Sequence, residues 1–226
     1  MELIRLEYQI GKENLNKIKN TKILVIGLGG VGGYAVESLV RSGIENITLV
    51  DADIIEKSNV NRQIIALQST IGMKKVDAFE NRILDINPNA KIKKISEFIT
   101  KENLSILFEN KVDFVIDACD TISTKIVLIE YCSKNDIPII SCMGMGRKLD
   151  PSKINIMDIQ KTSYDPIAKI IRKAMREKNI TSKIPVVSSN EKPLQDHNGT
   201  ISSNSFVPAV AGLTCTSYVI KQIIGE

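Results

Sequence analysis

The sequence predicts an α/β fold built on a doubly wound, mostly parallel sheet with helices on both faces. Short apolar runs rich in β-branched residues alternate with segments whose apolar residues recur at helical spacing, which is typical of successive βαβ units. A glycine-rich turn joins the first predicted strand to the helix that follows it. The chain has 226 residues, 43% hydrophobic and 25% charged, enough to bury the core of one such domain. We therefore expect a single Rossmann-like domain over residues 1–226.

The first βαβ unit has the clearest pattern. Ile23–Gly27 and Ile47–Val50 are short runs rich in β-branched residues, and Val31–Ser42 between them has apolar residues at helical spacing. The same criteria predict further strands at 90–95, 113–116, 137–141 and 154–157, and further helices at 75–86, 101–108 and 123–134. Strands that alternate with helices in this way pair in parallel.

After residue 150 the pattern is looser. A helix is predicted to begin at Asp165-Pro166, because Asp is a good N-cap and Pro suits the first turn. Its predicted inward residues are Ile167, Ile170, Ile171, Ala174 and Met175, and its predicted outward residues are Lys169, Arg172, Lys173 and Arg176. Polar and turn-forming residues predict a mobile loop at Ser188–Ser205, followed by an apolar helix at Pro208–Ile223.

Composition argues against several classes of protein. No run of about 18 uncharged apolar residues occurs, and charges interrupt the N-terminal segment, so we expect no transmembrane segment, no signal peptide and a cytoplasmic location. The four cysteines form no CxxC pair and the single histidine is His197, which disfavours a structural zinc site. We predict buried, non-catalytic cysteines and a surface position for His197. The net charge of +4 permits an anionic partner without requiring one.

The glycine-rich segment 27–32 is predicted to bind phosphate, because it follows a strand and opens a helix whose N-terminal N–H groups are free. Its glycines are Gly27, Gly29, Gly30 and Gly32. Asp51 and Asp53 end the second strand, and Asp51 stands about where a carboxylate meets a ribose hydroxyl in dinucleotide-binding folds. These features alone fit NAD and ATP equally well.

The segment Ser58-Asn59-Val60-Asn61-Arg62-Gln63 favours ATP over NAD. A hydride-transferring domain must bury a nicotinamide ring, whereas this segment presents a guanidinium and several amides beyond the expected ribose. Arg62 can bind phosphate oxygens as a planar fork, and Lys75 can add a point charge to the same polyanion. The alternative, two cations that only solvate a surface, is less favoured beside a glycine-rich turn.

A second acidic cluster, Asp117, Asp120 and the adjacent Thr121, follows a later strand. Ligands of open α/β sheets bind at the carboxyl ends of strands, so we expect this cluster at the same sheet edge as Gly29 and Asp51, where it would contact the nucleotide. Asp120 is predicted to bind Mg²⁺, which takes one or two carboxylates together with phosphate and water. A helix N-cap is the alternative role for each aspartate.

Together these motifs resemble the ThiF-type adenylyltransferase superfamily of ubiquitin-activating, thiamine-biosynthetic and molybdopterin-biosynthetic enzymes. The matching motifs are Gly-x-Gly-Gly-x-Gly, Asp51-x-Asp53, Ser58-Asn-x-x-Arg62-Gln63, Gly72-x-x-Lys75, Asn87-Pro88 and Asp117-x-x-Asp120. The resemblance implies that ATP is used with Mg²⁺ and that a substrate carboxylate attacks its α-phosphate. Pyrophosphate then leaves, and the acyl-adenylate passes to a nucleophile.

Carried over to this sequence, the resemblance implies specific roles. Gly29, Gly30 and Asp51 would bind the nucleoside side, and the phosphates would be held by Ser58, Asn59, Asn61, Arg62 and Lys75. Gln63 would also contact the nucleotide. Asp120 would position the metal, and Arg5 would extend into the ATP site of a second copy, which implies a homodimer. The catalytic set would be Arg5, Arg62, Lys75 and Asp120. The chain would divide into a helical arm (1–20), a nucleotide-binding core (21–145) and a substrate side (146–226).

Further motifs resemble the branch of tRNA threonylcarbamoyladenosine dehydratases. They are Arg41-Ser42-Gly43-Ile44, Asn59-x-Asn61-Arg62-Gln63, Gly144-x-Gly146-x-x-x-Asp150-Pro151 and Lys161-Thr-x-x-Asp165-Pro166. The paired CxxC motifs and the nucleophilic cysteine of many ubiquitin-like-protein activators have no counterpart here. The branch implies adenylation of the threonyl carboxylate of the modified adenosine at position 37 of tRNA. Ring closure then releases AMP, with net loss of water.

This resemblance also implies partners. The basic residues Lys169, Arg172, Lys173 and Arg176 are predicted to face the tRNA backbone, with a solvated helix face as the alternative. Ser189, Glu191 and the segment 144–147 are predicted to shape the substrate pocket. A cysteine desulfurase or sulfur acceptor is a further implied partner, and no DNA partner is expected.

Two other functions remain open from the sequence. One is an adenylyltransferase that activates the C-terminus of a ubiquitin-like sulfur carrier. The other is an NAD(P)-binding oxidoreductase or a non-catalytic nucleotide sensor. Thermal shifts with ATP·Mg, NAD and NADP discriminate them, because a ligand that binds only the native state raises its stability.

Overall fold

The strands form one sheet whose topology agrees with the predicted α/β class. The computed structural model describes residues 2–195 and 201–226. Its strands are β1 (Lys22–Ile26), β2 (Asn46–Val50), β3 (Lys91–Ile95), β4 (Phe114–Asp117), β5 (Ile139–Cys142), β6 (Ile154–Asp158) and β7 (Pro185–Ser189). They lie in the order β3-β2-β1-β4-β5-β7-β6, and β6 at the edge alone pairs antiparallel among these strands. The prediction of a doubly wound, mostly parallel sheet is confirmed.

Helices cover both faces of this sheet. They are α1 (Ile4–Ile10), α2 (Lys12–Asn20), α3 (Gly32–Arg41), α4 (Lys75–Ile86), α5 (Ile122–Lys134), α6 (Pro166–Glu177) and α7 (Phe206–Ile224). Successive side chains of a strand point to opposite faces. Ile23 and Val25 of β1 therefore pack in the core that contains α3, α4 and α7, whereas Leu24 and Ile26 pack in the core that contains α5 and α6.

Helix α7 packs so closely against the beginning of α3 that the two helix backbones are in contact. A Cβ added at Gly212 would lie 2.2 Å from the carbonyl oxygen of Val31, so this helix crossing requires glycine. The Thr216 hydroxyl also donates a 3.0 Å hydrogen bond to the carbonyl of Ala35. The close packing brings the first turn of α7 to the glycine-rich segment that precedes α3.

Helix α7 is long and apolar enough, by length and composition, to cross a membrane. Four of its buried apolar residues nevertheless belong to the core on the α3 face of the sheet. They are Val207, Ala211, Cys215 and Val219. We therefore assign α7 as a core helix, a role that selects the same apolar composition.

The prediction of a helix at 101–108 is wrong. A 3-10 helix at Leu104–Phe108 follows a turn. The Asn103 side chain accepts a 2.8 Å hydrogen bond from the Thr100 amide and donates a 3.0 Å bond to the Phe98 carbonyl. Such local side-chain bonds compete with helix formation.

The predicted loop at 188–205 also needs correction, because β7 extends to Ser189 and occupies an interior position in the sheet. Ser188 and Ser189 are buried there. His197, predicted to be a surface residue, lies at 196–200, outside the described residues.

Candidate functional site

A cavity of about 480 Å³ lies at the carboxyl ends of the parallel strands. Its lining includes the segments that follow β1 and β4, where the chain reverses the direction in which it adds strands to the sheet. Such a switch point is where open α/β sheets bind ligands. The predicted site residues that line it are Gly27, Gly29, Gly30, Asp51, Asp53, Asn59, Arg62, Gln63, Lys75, Asp120 and Thr121.

The glycine-rich turn needs its glycines for different reasons. Gly27 has a φ of +83°, and a Cβ there would lie 2.6 Å from the Cys119 amide nitrogen. Gly32 does not line the cavity, but a Cβ there would lie 1.8 Å from the Gly27 carbonyl oxygen. A Cβ at Gly29 would meet only the Gln63 amide nitrogen, at 3.7 Å. The turn is therefore closed on its inner side and open toward the cavity, where a phosphate could approach its N–H groups.

Asp51 joins the end of β2 to the glycine-rich turn. One carboxylate oxygen accepts a 2.7 Å hydrogen bond from the Leu28 amide, and the other accepts a 2.9 Å bond from the Asp53 amide. Lys75, buried at the first position of α4, places its Nζ 2.7 Å from Asp53 Oδ2 and 3.5 Å from Asp51 Oδ1. The cluster holds two carboxylates and one ammonium, and the three donors of the Lys75 ammonium allow it to bind a phosphate as well as the carboxylates.

Arg62 is anchored by its own loop. Its Nη1 donates to the Ser58 carbonyl at 2.8 Å and to Asn61 Oδ1 at 3.0 Å. The Asn61 amide in turn donates to the Ser203 carbonyl at 3.1 Å, and Asn59 accepts from the Glu56 amide at 3.1 Å. These bonds fix one corner of the guanidinium beside the cavity. Ser58 and Asn61 do not line the cavity themselves and so shape the arginine loop.

Asp120 and Asp117 occupy different environments. Asp120 is exposed at the cavity, and its hydrogen bond from the Thr121 hydroxyl is long, at 3.5 Å. A carboxylate in this state fits a Mg²⁺ ion that takes its other ligands from phosphate and water. Across the described residues, no cluster of three or more His, Cys, Asp or Glu could hold a metal unaided. Asp117 is fully buried, pairs with Lys125 at 3.0 Å and does not line the cavity.

Cys119 lines the cavity beside Asp120 but is poorly suited to nucleophilic catalysis. Its thiol donates to Asp117 Oδ1 at 3.1 Å. Burial, and then the negative charge of Asp117, raise the pKa of the Cys119 thiol well above its ordinary value. Since the thiolate is the reactive form, this shift disfavours Cys119 as a nucleophile at neutral pH.

The segment 144–146, which follows β5, forms a further part of the cavity wall and is hydrogen-bonded to the start of α6. Asp165 accepts a 2.9 Å hydrogen bond from the Gly144 amide through Oδ2 and a 2.9 Å N-cap bond from the Ala168 amide through Oδ1. Ser189 and Glu191 do not line the cavity. Glu191 accepts from the Leu149 and Asp150 amides at 2.9 Å each, and so stabilises the chain that leaves this wall.

Several residues of the cavity are not predicted by the sequence motifs. Apolar and small side chains from separate loops complete its lining, among them Phe98, Ile99, Ile167, Ile201, Ser203 and Pro208. Phe98 and Ile99 follow the end of β3, so the strand-end rule that found Asp51 could have identified them. Ile201 and Ser203 belong to a segment with no periodic pattern and gave no signal.

The basic face of α6 differs in part from the prediction. Lys169, Lys173 and Arg176 are exposed as expected. Arg172 is half-buried instead, and its Nη1 donates to the Ile159 carbonyl at 3.1 Å and also to Thr162. Ile170, predicted to point inward, is 46% exposed.

Arg5 lies on the exposed side of α1, outside the cavity lining. Its predicted position in the ATP site of a second copy stays a prediction, because the structure contains a single chain.

Comparison with known proteins relates this chain to a characterised group. The ThiF family model matches residues 3–226. The tRNA threonylcarbamoyladenosine dehydratase of Bacillus subtilis (strain 168) is 43% identical over 239 residues, which cover 98% of this chain and 94% of that protein. The corresponding protein of Escherichia coli (strain K12) is 37% identical over 166 residues, which cover 74% of this chain and 62% of that protein.

Solved structures agree with the sequence comparison. The E. coli tRNA N6-threonylcarbamoyladenosine dehydratase, TcdA, in complex with AMP matches with a TM-score of 0.94 and 31% identity, covering 98% of this chain and 93% of that chain. Its complex with ATP matches with a TM-score of 0.92 and 32% identity, at the same coverage. The resemblance read from the motifs is confirmed, and the chain belongs to the ThiF family.

Proposed function

We propose that this protein is an ATP-dependent tRNA threonylcarbamoyladenosine dehydratase. It adenylates the threonyl carboxylate of N6-threonylcarbamoyladenosine at position 37 of tRNA and then lets the modification cyclise. The observation that carries this proposal is the cavity itself, in which the glycine-rich turn, Arg62, Lys75 and Asp120 surround one space. The similarity to dehydratases over nearly the full chain supports the choice of substrate.

The chemistry follows from these groups. A carboxylate oxygen of the substrate bonds to the α-phosphorus, and the bond to the β-phosphate breaks so that pyrophosphate leaves. A nucleophilic atom of the same modified base then attacks the acyl carbon, and AMP leaves with the former carboxylate oxygen, which accounts for the loss of one water. Arg62 and Lys75 stabilise the charge that develops on the phosphate oxygens. Asp120 would hold Mg²⁺, whose chemistry here is neutralisation of the polyphosphate charge.

The substrate side supports an internal nucleophile. A relay cysteine is unnecessary when the attacking atom belongs to the RNA, and the raised pKa of the Cys119 thiol agrees with that. Lys169, Lys173 and Arg176 would contact tRNA phosphates, while Asp165 connects their helix to the wall at Gly144. Arg172 would act by holding the loop before α6.

Assembly and location complete the proposal. We infer a cytoplasmic homodimer in which Arg5 of each copy reaches the other copy's ATP site, and a single domain divided at residues 20 and 145. A cysteine desulfurase or sulfur acceptor as partner is also part of the proposal. Size-exclusion chromatography with light scattering tests the dimer, and an Arg5→Ala variant that keeps full AMP formation would contradict the shared site.

Mass spectrometry of nucleosides tests the activity directly. tRNA that carries threonylcarbamoyladenosine is incubated with ATP·Mg and either the wild-type protein or Arg62→Ala. We expect the modified nucleoside to lose one water with the wild type and to stay intact with the variant. An unchanged nucleoside with both proteins would refute the dehydratase. AMP formation driven by a small protein ending in Gly-Gly would then favour the sulfur-carrier adenylyltransferase.

A further inference from the structure

A buried ion pair lies behind the cavity and has no part in the chemistry described above. Asp117, the last residue of β4, and Lys125 of α5 are both buried, and Lys125 Nζ lies 3.0 Å from Asp117 Oδ2. Burial of two charges costs desolvation free energy that apolar residues of similar volume avoid. Stability alone is therefore a weak reason for such a pair, and its other contacts indicate a different use.

The pair is bonded to the backbone of two neighbouring segments of the cavity lining, one after β4 and one after β5. Asp117 Oδ1 accepts from the Cys119 amide at 3.3 Å, and Cys119 lies in the segment 118–121 that lines the cavity. Lys125 Nζ donates to the Cys142 carbonyl at 2.7 Å, two residues before the lining segment 144–146 begins at Gly144. The Ser141 hydroxyl donates to Asp117 Oδ2 at 2.5 Å and accepts from Lys125 Nζ at 3.3 Å. We name Asp117, Lys125 and Ser141 the β4–β5 clamp.

The glycine-rich turn rests on the same backbone. The Ala118 amide donates to the Ile26 carbonyl at 2.8 Å, and the space beside Gly27 is closed by the amide of Cys119 at 2.6 Å from an added Cβ. The backbone of segment 118–119 therefore packs directly against the turn that is proposed to bind phosphate. Burial would lower the pKa of Lys125, but the negative charge of Asp117 outweighs that effect and raises the pKa, so Lys125 stays protonated at neutral pH.

We propose that the β4–β5 clamp positions the ATP site, with Asp117, Lys125 and Ser141 acting as positioning residues. They hold the segments 118–121 and 144–146 at the separation that ATP requires. This inference rests on the proposed function only in taking ATP as the ligand. It also gives Asp117 a role other than the nucleotide contact predicted from the sequence.

The test removes both charges together, because a single substitution would leave the other charge buried and unpaired. The double variant Asp117→Asn, Lys125→Met is compared with Glu37→Gln, Arg82→Met, which removes a partly buried ion pair of 2.6 Å between α3 and α4, outside the cavity lining. Three quantities are measured: the unfolding midpoint, the Kd for ATP·Mg by calorimetry, and deuterium uptake by peptides that contain 118–121 and 144–146.

We expect the clamp variant to fold, to bind ATP at least tenfold more weakly and to exchange faster in both segments. The control should keep the wild-type Kd and exchange, even if its unfolding midpoint falls as far. A folded clamp variant with wild-type Kd and exchange would overturn the proposal.

Ser141→Ala keeps both charges, and it decides the question if the double variant does not fold. We expect it to weaken ATP binding two- to fivefold and to speed exchange in both segments, and unchanged values would overturn the proposal. Wild-type protein that failed to bind ATP would refute the proposed function instead, and exchange in the two segments would still decide the clamp.

Discussion

Removal of the positive charges on α6 should reduce the salt dependence of tRNA binding by a calculable amount. The change is Lys169→Gln, Lys173→Gln and Arg176→Gln, three exposed cations on one helix. Each contact to a single-stranded phosphate contributes about 0.7 to the slope of log K against log salt. Three contacts contribute about 2, so between 50 and 200 mM salt the wild-type affinity should fall roughly 20-fold further than that of the variant.

Fluorescence anisotropy with labelled tRNA at several salt concentrations measures this slope. The control is Lys12→Gln, Lys91→Gln and Lys111→Gln, which removes the same charge from exposed lysines. Lys91 begins β3 and Lys111 precedes β4, so both lie at the sheet edge opposite the cavity. An unchanged slope for the α6 variant, or equal changes for both variants, would refute the assignment of α6 as the RNA-binding face.

Three further predictions concern stability and the role of single residues. Gly27→Ala should destabilise the fold by about 3 kcal/mol or more in denaturant unfolding, because the added Cβ would clash with the Cys119 amide. Gly72 also has a positive φ but has open space around it, so Gly72→Ala should cost only about 1–2 kcal/mol. Similar losses of stability in the two variants would contradict the clash. Arg172→Gln should lower the free energy of unfolding by about 1–3 kcal/mol, because its hydrogen bonds are lost. It should leave the slope of log K against log salt for tRNA unchanged, and a smaller slope would show that Arg172 contacts the RNA. Two lysine ammonium groups lower the pKa of Glu130 to about 2 from 4.5, so the ionised carboxylate stabilises the fold above pH 4.5 and this effect is lost as the pH falls toward 2. The free energies of unfolding of Glu130→Gln and of the wild type should therefore converge over this pH range. A difference that stays constant with pH would contradict the pairing.

The sequence was most informative where periodicity and turn chemistry agreed. β1, the glycine-rich turn and α3 each satisfied an independent rule, and the structure has all three within one residue of the predicted bounds. Strand β7 was not predicted because Pro-Val-Val-Ser-Ser contains only two consecutive aliphatic residues. Its burial comes from neighbours on both sides in the sheet, which a local pattern does not contain.

Side-chain roles were harder to predict than elements. The strand-end rule correctly places Asp117 at the carboxyl edge of the sheet, but it does not predict that Lys125, eight residues later, forms an ion pair with Asp117. The cationic pattern of α6 predicts Arg172 on the outer side of the helix, although Arg172 follows buried Ala168 by four residues and precedes buried Met175 by three. Those spacings put it on the inner side of the helix, where its partners are loop carbonyls.

The contact between Gly212 and the start of α3 makes the ATP site depend on two distant parts of the chain. The glycine-rich turn is made early during synthesis, yet Pro208 of α7, which completes the lining beside Gly30, lies far along the sequence. A nascent chain that stops short of α7 would lack that wall and leave the apolar face of α3 uncovered. Nucleotide therefore should not stabilise incomplete chains, and nucleotide affinity becomes a measure of whether the whole domain has folded.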